Sequence, residues 1–392
     1  MQAVILAAGK STRAHPLTLN RPKPLLKIAG KPILQYNLEQ LEGLVDEVII
    51  VVGYLKEMVE GCFGNRFNGL KIVYVDQDEQ LGTGHAILQA KELIKDKFVV
   101  LNGDDLYSRE DIEACLKHRY CVLAQEVENP VHFGIVVVEN GFVKDVVEKP
   151  KEFVSNLAAT GLYVFDKKVF DIELKKTARN EYERNDFIPE LAKTEKVYLE
   201  KVKGCWIPIT YPWSMLQANE YLLGKMNGQE IKGEMEENVT IKGPVYIGEG
   251  TVVKAGTYIE GPVYIGKNCV IGPGAYLRPN TTIGNNCRIR AEVVDSIIMD
   301  NTTAKHFSYL GYSVIGENVN IAAGTITADY RHDGQTHMTV VKGEKVDTER
   351  KKLGAMIGDN VHTGINTIIY PGRKIWVERH TLPGQVVKED LI

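Results

Sequence analysis

Two rhythms of hydrophobic and polar positions divide the chain. Over the first 225 or so residues, short apolar runs (Ala3–Leu6, Val48–Val52, Ile72–Val75, Phe98–Leu101) alternate with amphipathic stretches such as Pro32–Leu41 and Thr83–Ile94. This alternation predicts strand–helix–strand units and an open, mostly parallel sheet covered by helices. Such sheets bind ligands beyond the carboxyl ends of their strands. The loops Ala7–Pro16, Asp76–Gly84 and Asn102–Asp105 leave predicted strands there and carry unusual residues.

After a charged stretch, Gly228–Asn238, the period changes to six. Aliphatic residues fall at 241, 247, 253, 259, 265, 271, 277, 283 and 289, often followed by glycine, as in Ile247-Gly248, Ile265-Gly266 and Ile283-Gly284. A sixfold period of inward aliphatics predicts a parallel β-helix in which three hexads make one triangular coil. The register resumes at Ile315, Ile321 and Thr327, and again at Ile357, Thr363, Ile369 and Ile375. The step from 289 to 315 is 26 residues, not a multiple of six, which predicts a bulge there. The polar, basic segment Arg331–Lys352 reads as an excursion from the coil. The resulting division is a domain over 1–226, a linker over 227–238 and a β-helix over 239–392.

Composition narrows the function classes. The 392 residues carry 47 Lys plus Arg against 51 Asp plus Glu, a net charge of −4. Nucleic acid as the main partner calls for a strongly basic surface, so the balance argues against that class. The longest apolar approach, Val48–Leu55, is eight residues, too short to span a membrane. The N-terminus lacks the basic region of a signal peptide. The six cysteines (62, 115, 121, 205, 269, 287) form no CxxC pair, which disfavours a zinc site or a disulfide framework. The expectation is a soluble, cytoplasmic protein.

The first loop reads Leu6-Ala-Ala-Gly-Lys-Ser-Thr-Arg13 and is followed by Arg21-Pro-Lys23-Pro24. A small-residue turn leaving a strand lets backbone N–H groups approach a polyphosphate. Arg13 and Lys23 would neutralise charge during phosphoryl transfer; the alternative is a surface loop with solvated cations. With Gln80-Leu-Gly-Thr-Gly-His-Ala86, Asn102-Gly-Asp104 and Val147-Glu-Lys-Pro150, the segment 1–225 resembles the sugar-1-phosphate nucleotidylyltransferases, which join a nucleoside triphosphate to a sugar 1-phosphate and release pyrophosphate. The resemblance implies that Ala8, Gly9, Gln80, Gly82 and Thr83 hold the nucleotide, and that Arg13 and Lys23 hold the triphosphate as catalytic cations. It places Mg²⁺ on Asp104, and Gly134, Glu148, Lys149, Ala159 and Arg179 on the sugar and its phosphate. Ala158-Ala-Thr-Gly161-Leu-Tyr is similar to the sugar-site strand of glucose-1-phosphate thymidylyltransferases. Asp105 and the Cys115/Cys121 pair are read as structural or solvated, and His85 as ordering its loop.

Two departures stand out. The family loop has Gly-x-Gly-Thr-Arg, whereas Ser11 stands here at the second glycine, so either its φ stays negative or it carries mild strain. Relatives read Trp-x-Asp-x-Gly-x-Pro-Trp with the Asp as a second metal ligand; this chain has Trp206-Ile-Pro208-Ile-Thr210-Tyr-Pro-Trp213.

The solenoid is similar to the acetyltransferase half of bifunctional glucosamine-1-phosphate enzymes, archaeal ones especially. The whole chain then reads as a Rossmann-like α/β nucleotidyltransferase domain followed by a left-handed parallel β-helix. Between coil stretches lies Lys305–Ser313, read as irregular, followed by Asn320-Ile-Ala-Ala-Gly-Thr-Ile-Thr-Ala-Asp-Tyr330. Acetyl transfer to a sugar amine needs a base, and a histidine suits it. The resemblance gives that role to His306, and acceptor contacts to Tyr309, Asp329 and Tyr330, with acetyl-CoA as co-substrate. Asp329 replaces the relatives' Asn, and Gln335 and Met338 stand where relatives often have lysines. Lys342–Lys352 is either a coenzyme A contact or a solvated loop. The resemblance also implies a homotrimer, or a multiple of one, with sites between subunits. The expected function is nucleotidyl transfer from UTP or dTTP to a glucose- or N-acetylglucosamine-type 1-phosphate, coupled to acetylation of an amino-sugar 1-phosphate. Two alternatives are a nucleotidylyltransferase whose coil is only a trimerisation scaffold, and a non-catalytic nucleotide-sugar-binding regulatory subunit.

Overall fold

The computed structural model describes every residue except Ala178. The chain forms two compact units: Met1–Lys10 with Pro22–Leu25 and Ile33–Pro208, and Ser11–Arg21 with Leu26–Pro32 and Ile209–Ile392.

In the first unit, strands β1 (Gln2–Leu6), β2 (Glu47–Val52), β3 (Leu70–Asp76) and β4 (Phe98–Asn102) form the parallel centre of a sheet in the order β4-β1-β2-β3. Parallel strands need both faces covered, and the side chains comply. Ala3, Ile5, Val48 and Ile50 enter one core, while Val4, Ile49 and Val51 enter the other. Beyond β4 the sheet turns antiparallel through β5 (Cys121–Glu126), β6 (Gly134–Glu139), β7 (Phe142–Glu148) and β8 (Leu157–Phe165). β8 carries a register shift between Ala159 and Tyr163, with Gly161 inside it at φ +90°. Cys115 and Cys121 are buried among the apolar side chains of one core, as the structural reading expects.

The second unit is a parallel β-helix of the hexapeptide type, with three sheets stacked coil on coil. Its first rungs, Gln229–Ile231 and Glu234–Met235, pair with Val245–Ile247 and Val252–Val253, so coil structure begins within the segment read as a linker. Asparagines 238, 268, 280, 286, 301, 318, 360 and 366 turn the corners at positive φ, the side chain best suited to that region after glycine. A column of polar side chains stitches one corner. Thr251 Oγ1 donates to the Gly266 carbonyl at 2.7 Å, Cys269 Sγ to Gly284 at 3.0 Å, Cys287 Sγ to Met299 at 3.2 Å and Thr302 Oγ1 to Gly316 at 2.8 Å. These two cysteines are therefore structural hydrogen-bond donors.

The expected bulge between 289 and 315 is absent. The inward residues there are Val293, Ile298, Ala304 and Leu310, each buried, and every neighbouring coil is paired. The 26 residues are taken up by shortened sides: Thr282 pairs with Ile297 and Glu292 with Tyr309, 15- and 17-residue coils in place of 18. Likewise Lys305–Ser313 is not irregular; Tyr309–Gly311 is a rung paired with Glu292–Val294. Dropping residues at a corner preserves the inward column because each side only needs its own aliphatic inside. The excursion at Arg331–Lys352 holds: it contains an antiparallel hairpin, Met338–Val341 with Glu344–Asp347.

Ser11–Arg21 and Leu26–Pro32 pack within this second unit. Arg21 Nη2 reaches Asp359 and Glu317, each at 2.9 Å, and Lys27 reaches Asp300 at 2.5 Å. On a helix of the same unit, Ser214–Leu223, the buried Asn219 accepts from Thr282 Oγ1 at 2.6 Å and donates to the Asn280 carbonyl at 2.8 Å.

Candidate functional sites

In the first unit, the turn after β1 is held open by its neighbours. Gln80 Nε2 donates to the Ala8 carbonyl at 3.0 Å, and Tyr54 N reaches the same oxygen at 3.1 Å. Gly82 sits at φ +98° immediately before the helix Thr83–Gln89, and a Cβ there would come within 2.5 Å of the Tyr182 carbonyl. Thr83 Oγ1 lies 3.4 Å from Glu183 Oε2 and accepts from Arg184 N at 3.3 Å. Ala8, Gln80, Gly82 and Thr83 thus belong to one backbone-lined region, and Gly9 continues the turn. His85 is sandwiched between Gln77 and Gln89, each at 3.1 Å, which fits a loop-ordering role.

At the end of β4, the buried Lys23 pairs with Asp104 at 2.5 Å. Asp105 points inward, accepting from Asn102 Nδ2 at 2.9 Å and Trp206 Nε1 at 3.2 Å. Burial, with the Asp104 charge beside it, raises its carboxyl to about 6. Pro208 lies opposite Asp105 in an antiparallel pair of short strands, and its side chain offers no ligand atom there.

Gly134 and Glu148 face each other across β6 and β7. Glu148 Oε2 accepts from Asn185 Nδ2 at 2.9 Å, and Asn185 Oδ1 accepts from the Tyr163 hydroxyl at 2.5 Å. A Cβ on Gly134 would meet Asn185 Nδ2 at 2.6 Å, which explains the glycine. Arg179 Nη2 lies 2.6 Å from Glu183 and 3.8 Å from Glu148, and Lys149 lies 3.7 Å from Glu148. Gly134, Glu148, Lys149 and Arg179 are therefore brought together; Ala159 lies on the neighbouring strand β8, opposite Ala124 of β5. Asn102 and Tyr163, which lie in the motifs but were given no role, and Arg184 and Asn185, which lie in none, complete this network. The only signal was their proximity to glycines in the motifs.

Arg13 lies in the segment of the second unit, exposed in the single turn Thr12–Ala14. Ser11 before it has φ +50°, so the strained alternative holds. Thr18 Oγ1 braces it by donating to the Ser11 carbonyl at 3.0 Å.

On the coil, the exposed His306 borders a cleft of about 300 Å³ with Lys305, Asn320, Ala322, Ala323 and Ile365. The Tyr309 hydroxyl donates to Asp329 Oδ2 at 2.6 Å, and burial with this carboxylate pushes the phenol above its ordinary range. Tyr330 is exposed at the base of the hairpin, bridged to Lys352. In the basic stretch, Arg350 pairs with Asp295 at 3.2 Å and Lys352 donates to the Tyr312 hydroxyl at 3.1 Å. Those two cations anchor the hairpin to the coil.

Among the described residues no helix is long and apolar enough to cross a membrane. The nucleotidyl transferase family model matches residues 2–224, and the GMPPB C-terminal domain model matches 259–353. The chain is 46% identical over 381 residues to the bifunctional protein GlmU of Methanocaldococcus jannaschii, covering 96% of this chain and 92% of that one. It is 39% identical over 402 residues to a bifunctional sugar-1-phosphate nucleotidylyltransferase/acetyltransferase of Sulfurisphaera tokodaii, covering 100% and 98%. Among solved structures, a Bacillus anthracis protein assigned as a glucose-1-phosphate thymidylyltransferase matches with 30% identity and a TM-score of 0.53, over 58% of this chain and 96% of that one. A UDP-glucose pyrophosphorylase complexed with UDP-glucose matches with 28% identity and a TM-score of 0.52, over 57% and 99%. The chain belongs to the family of bifunctional sugar-1-phosphate nucleotidylyltransferase/acetyltransferases.

Proposed function

We propose that the first half transfers a nucleotidyl group from UTP or dTTP to a hexose or N-acetylhexosamine 1-phosphate, and that the coil acetylates an amino-sugar 1-phosphate from acetyl-CoA. The observation that carries the first activity is the buried Lys23 beside Asp104, next to a network that joins Glu148 to the strand below it. A phosphate oxygen of the sugar 1-phosphate attacks the α-phosphorus, the new P–O bond forms, the α–β bond breaks and pyrophosphate leaves. The protein's share is positioning and charge neutralisation. Ala8, Gly9, Gln80, Gly82 and Thr83 would hold the nucleotide, Lys23 and Arg13 the triphosphate, and Gly134, Glu148, Lys149, Ala159 and Arg179 the sugar phosphate.

A hard cation fits the donor set at Asp104. This carboxylate is partly exposed, whereas Asp105 is buried with its Oδ2 engaged, and Pro208 contributes nothing. Among the described residues no group of three metal-ligating side chains exists. One carboxylate with phosphate oxygens and water suits Mg²⁺, which when bound would offset triphosphate charge.

For the second activity, His306 would take the proton of the acceptor amine as the amine nitrogen attacks the thioester carbonyl; the C–N bond forms, the C–S bond breaks and coenzyme A leaves as the thiolate, which takes up a proton. Tyr309, Asp329 and Tyr330 would contact the acceptor. A homotrimer with sites between subunits, in the cytoplasm, accompanies this reading. The Tyr309–Asp329 bond favours one competing reading, a coil that serves as scaffold only, because it engages the acceptor-side tyrosine.

The test is pyrophosphate release with UTP or dTTP against several sugar 1-phosphates and Mg²⁺, repeated with acetyl-CoA while free thiol is followed. Asp104→Asn should abolish Mg²⁺-dependent pyrophosphate release; unchanged rates would remove the metal assignment. No thiol release with any amino-sugar 1-phosphate would leave the coil a scaffold.

A further inference from the structure

Near the C-terminal end of the coil two histidines stand one above the other. His362 and His380 occupy the same register position on successive coils, continuing a column that runs through Asn320. Backbone bonds fix that register: His362 N donates to the Arg379 carbonyl at 3.1 Å, and Thr381 N to the His362 carbonyl at 3.1 Å. Both side chains are exposed, and their ring centroids lie 5.4 Å apart with the planes at 65°. Neither imidazole has a hydrogen-bond or ion-pair partner among the described residues. His85, His118 and His337, by contrast, are each hydrogen-bonded through a ring nitrogen.

The separation of the rings has a chemical meaning. A metal–imidazole bond of about 2.0–2.1 Å places the ion about 3.2 Å from each ring centroid. Two such rings at a tetrahedral angle have centroids about 5.2 Å apart, and at a right angle about 4.5 Å. The observed 5.4 Å matches the tetrahedral spacing that zinc prefers, not the right-angled spacing of square-planar Cu²⁺. Two nitrogen donors also disfavour Mg²⁺ and Ca²⁺, which take oxygen, so the pair differs in kind from the carboxylate at Asp104. We propose that His362 and His380 form a zinc site that ties the last coil to the one before it. No third His, Cys, Asp or Glu side chain joins them among the described residues, so the remaining positions fall to water. The tie acts where the fold is least supported. His380 ends its column, and a terminal coil is held from one side only, so it opens most easily. An ion that needs both rings binds only the closed arrangement and therefore stabilises it.

The experiment titrates Zn²⁺ calorimetrically into the full chain after treatment with a chelator. It is repeated for His362→Ala, His380→Ala and, as a control, His332→Ala, an exposed histidine in the excursion. Both histidines of the pair are exposed and free of hydrogen bonds, so their variants should fold as wild type does. Wild type should bind one Zn²⁺ per chain that either variant of the pair weakens by about tenfold or more, while the control matches wild type. Co²⁺ in place of Zn²⁺ should give wild type the intense visible absorption of a tetrahedral ion, and both variants should lose it. Saturating Zn²⁺ should raise the unfolding temperature of wild type and leave that of either variant where it was. A wild type that binds no Zn²⁺ up to about 1 mM, or variants that bind it as tightly, overturns the site. The weak absorption of octahedral Co²⁺ in wild type overturns the two-histidine geometry. Zn²⁺ binding without a change in unfolding temperature overturns the tie.

Discussion

Arg21 is the sharpest structural test, because its chemistry differs from the phosphate-handling context in which its sequence places it. Its side chain is only 9% exposed and forks onto Asp359, 5% exposed, and Glu317, 22% exposed, both at 2.9 Å. Asp359 is further fixed by the Glu317 backbone N–H at 2.8 Å. Arg21→Met removes the cation and leaves two carboxylates facing one another in a mostly buried site. Breaking a buried pair from one side costs about 3–5 kcal/mol; since Glu317 retains some solvent, about 3–4 kcal/mol is expected at pH 7.5. With urea slopes of about 1–3 kcal/mol/M, the unfolding midpoint should fall by about 1 M or more. Burial already raises the Glu317 carboxyl against the opposing pull of Arg21, and without Arg21 it rises further. A carboxyl whose folded value lies above its unfolded one destabilises the fold at high pH and ceases to do so once protonated. The gap between Arg21→Met and wild type should therefore shrink from pH 7.5 to pH 5. A loss below about 1 kcal/mol, or a gap that widens on acidification, would refute the buried-triad reasoning.

Three further outcomes follow from single sites. Ser11→Gly relieves a left-handed serine and should leave stability level or raise it by about 1 kcal/mol in urea unfolding; a clear loss would show that the serine side chain is needed. Asp295 is buried with one oxygen lacking a hydrogen-bond partner, and burial lifts its carboxyl to about 6 despite Arg350. Asp295→Asn should stabilise the protein by about 1–2 kcal/mol at pH 8 and by almost nothing at pH 4, where wild-type Asp295 is protonated in the folded state; an equal effect at both pH values would contradict the sign. His306→Ala should reduce thiol release from acetyl-CoA by about a hundredfold or more while sparing pyrophosphate release, and equal loss of both would make His306 structural.

The architecture was legible because it is written in periods. Two-sided apolar strands such as Val48–Val52 and the sixfold aliphatics from Ile241 to Ile289 state which side chains must leave water, and burial of those residues is local in its logic. The asparagine corners are equally local, since Asn tolerates positive φ wherever it stands. What the period misled on was the coil at 289–315. A missing residue and an inserted one both break a count, and only pairing distinguishes a shortened side from a bulge.

Side-chain partnerships were far less legible, and for a physical reason. The motifs identify residues that approach a ligand, but whether a charge is spent inside the protein depends on partners far along the chain. Arg21 and Lys23 sit two residues apart in one motif, yet Arg21 reaches Asp359 and Lys23 reaches Asp104. Lys342–Lys352 left two roles open because composition cannot show that Arg350 is bound to Asp295 and Lys352 to Tyr312. The same accounting, run in the other direction, singles out Arg184. No motif contains it, and its meaning lies in the acids around it having been satisfied by Arg179, Lys149 and Lys23. A residual charge is a property of the folded network, so it becomes readable only once every competing pair has been assigned.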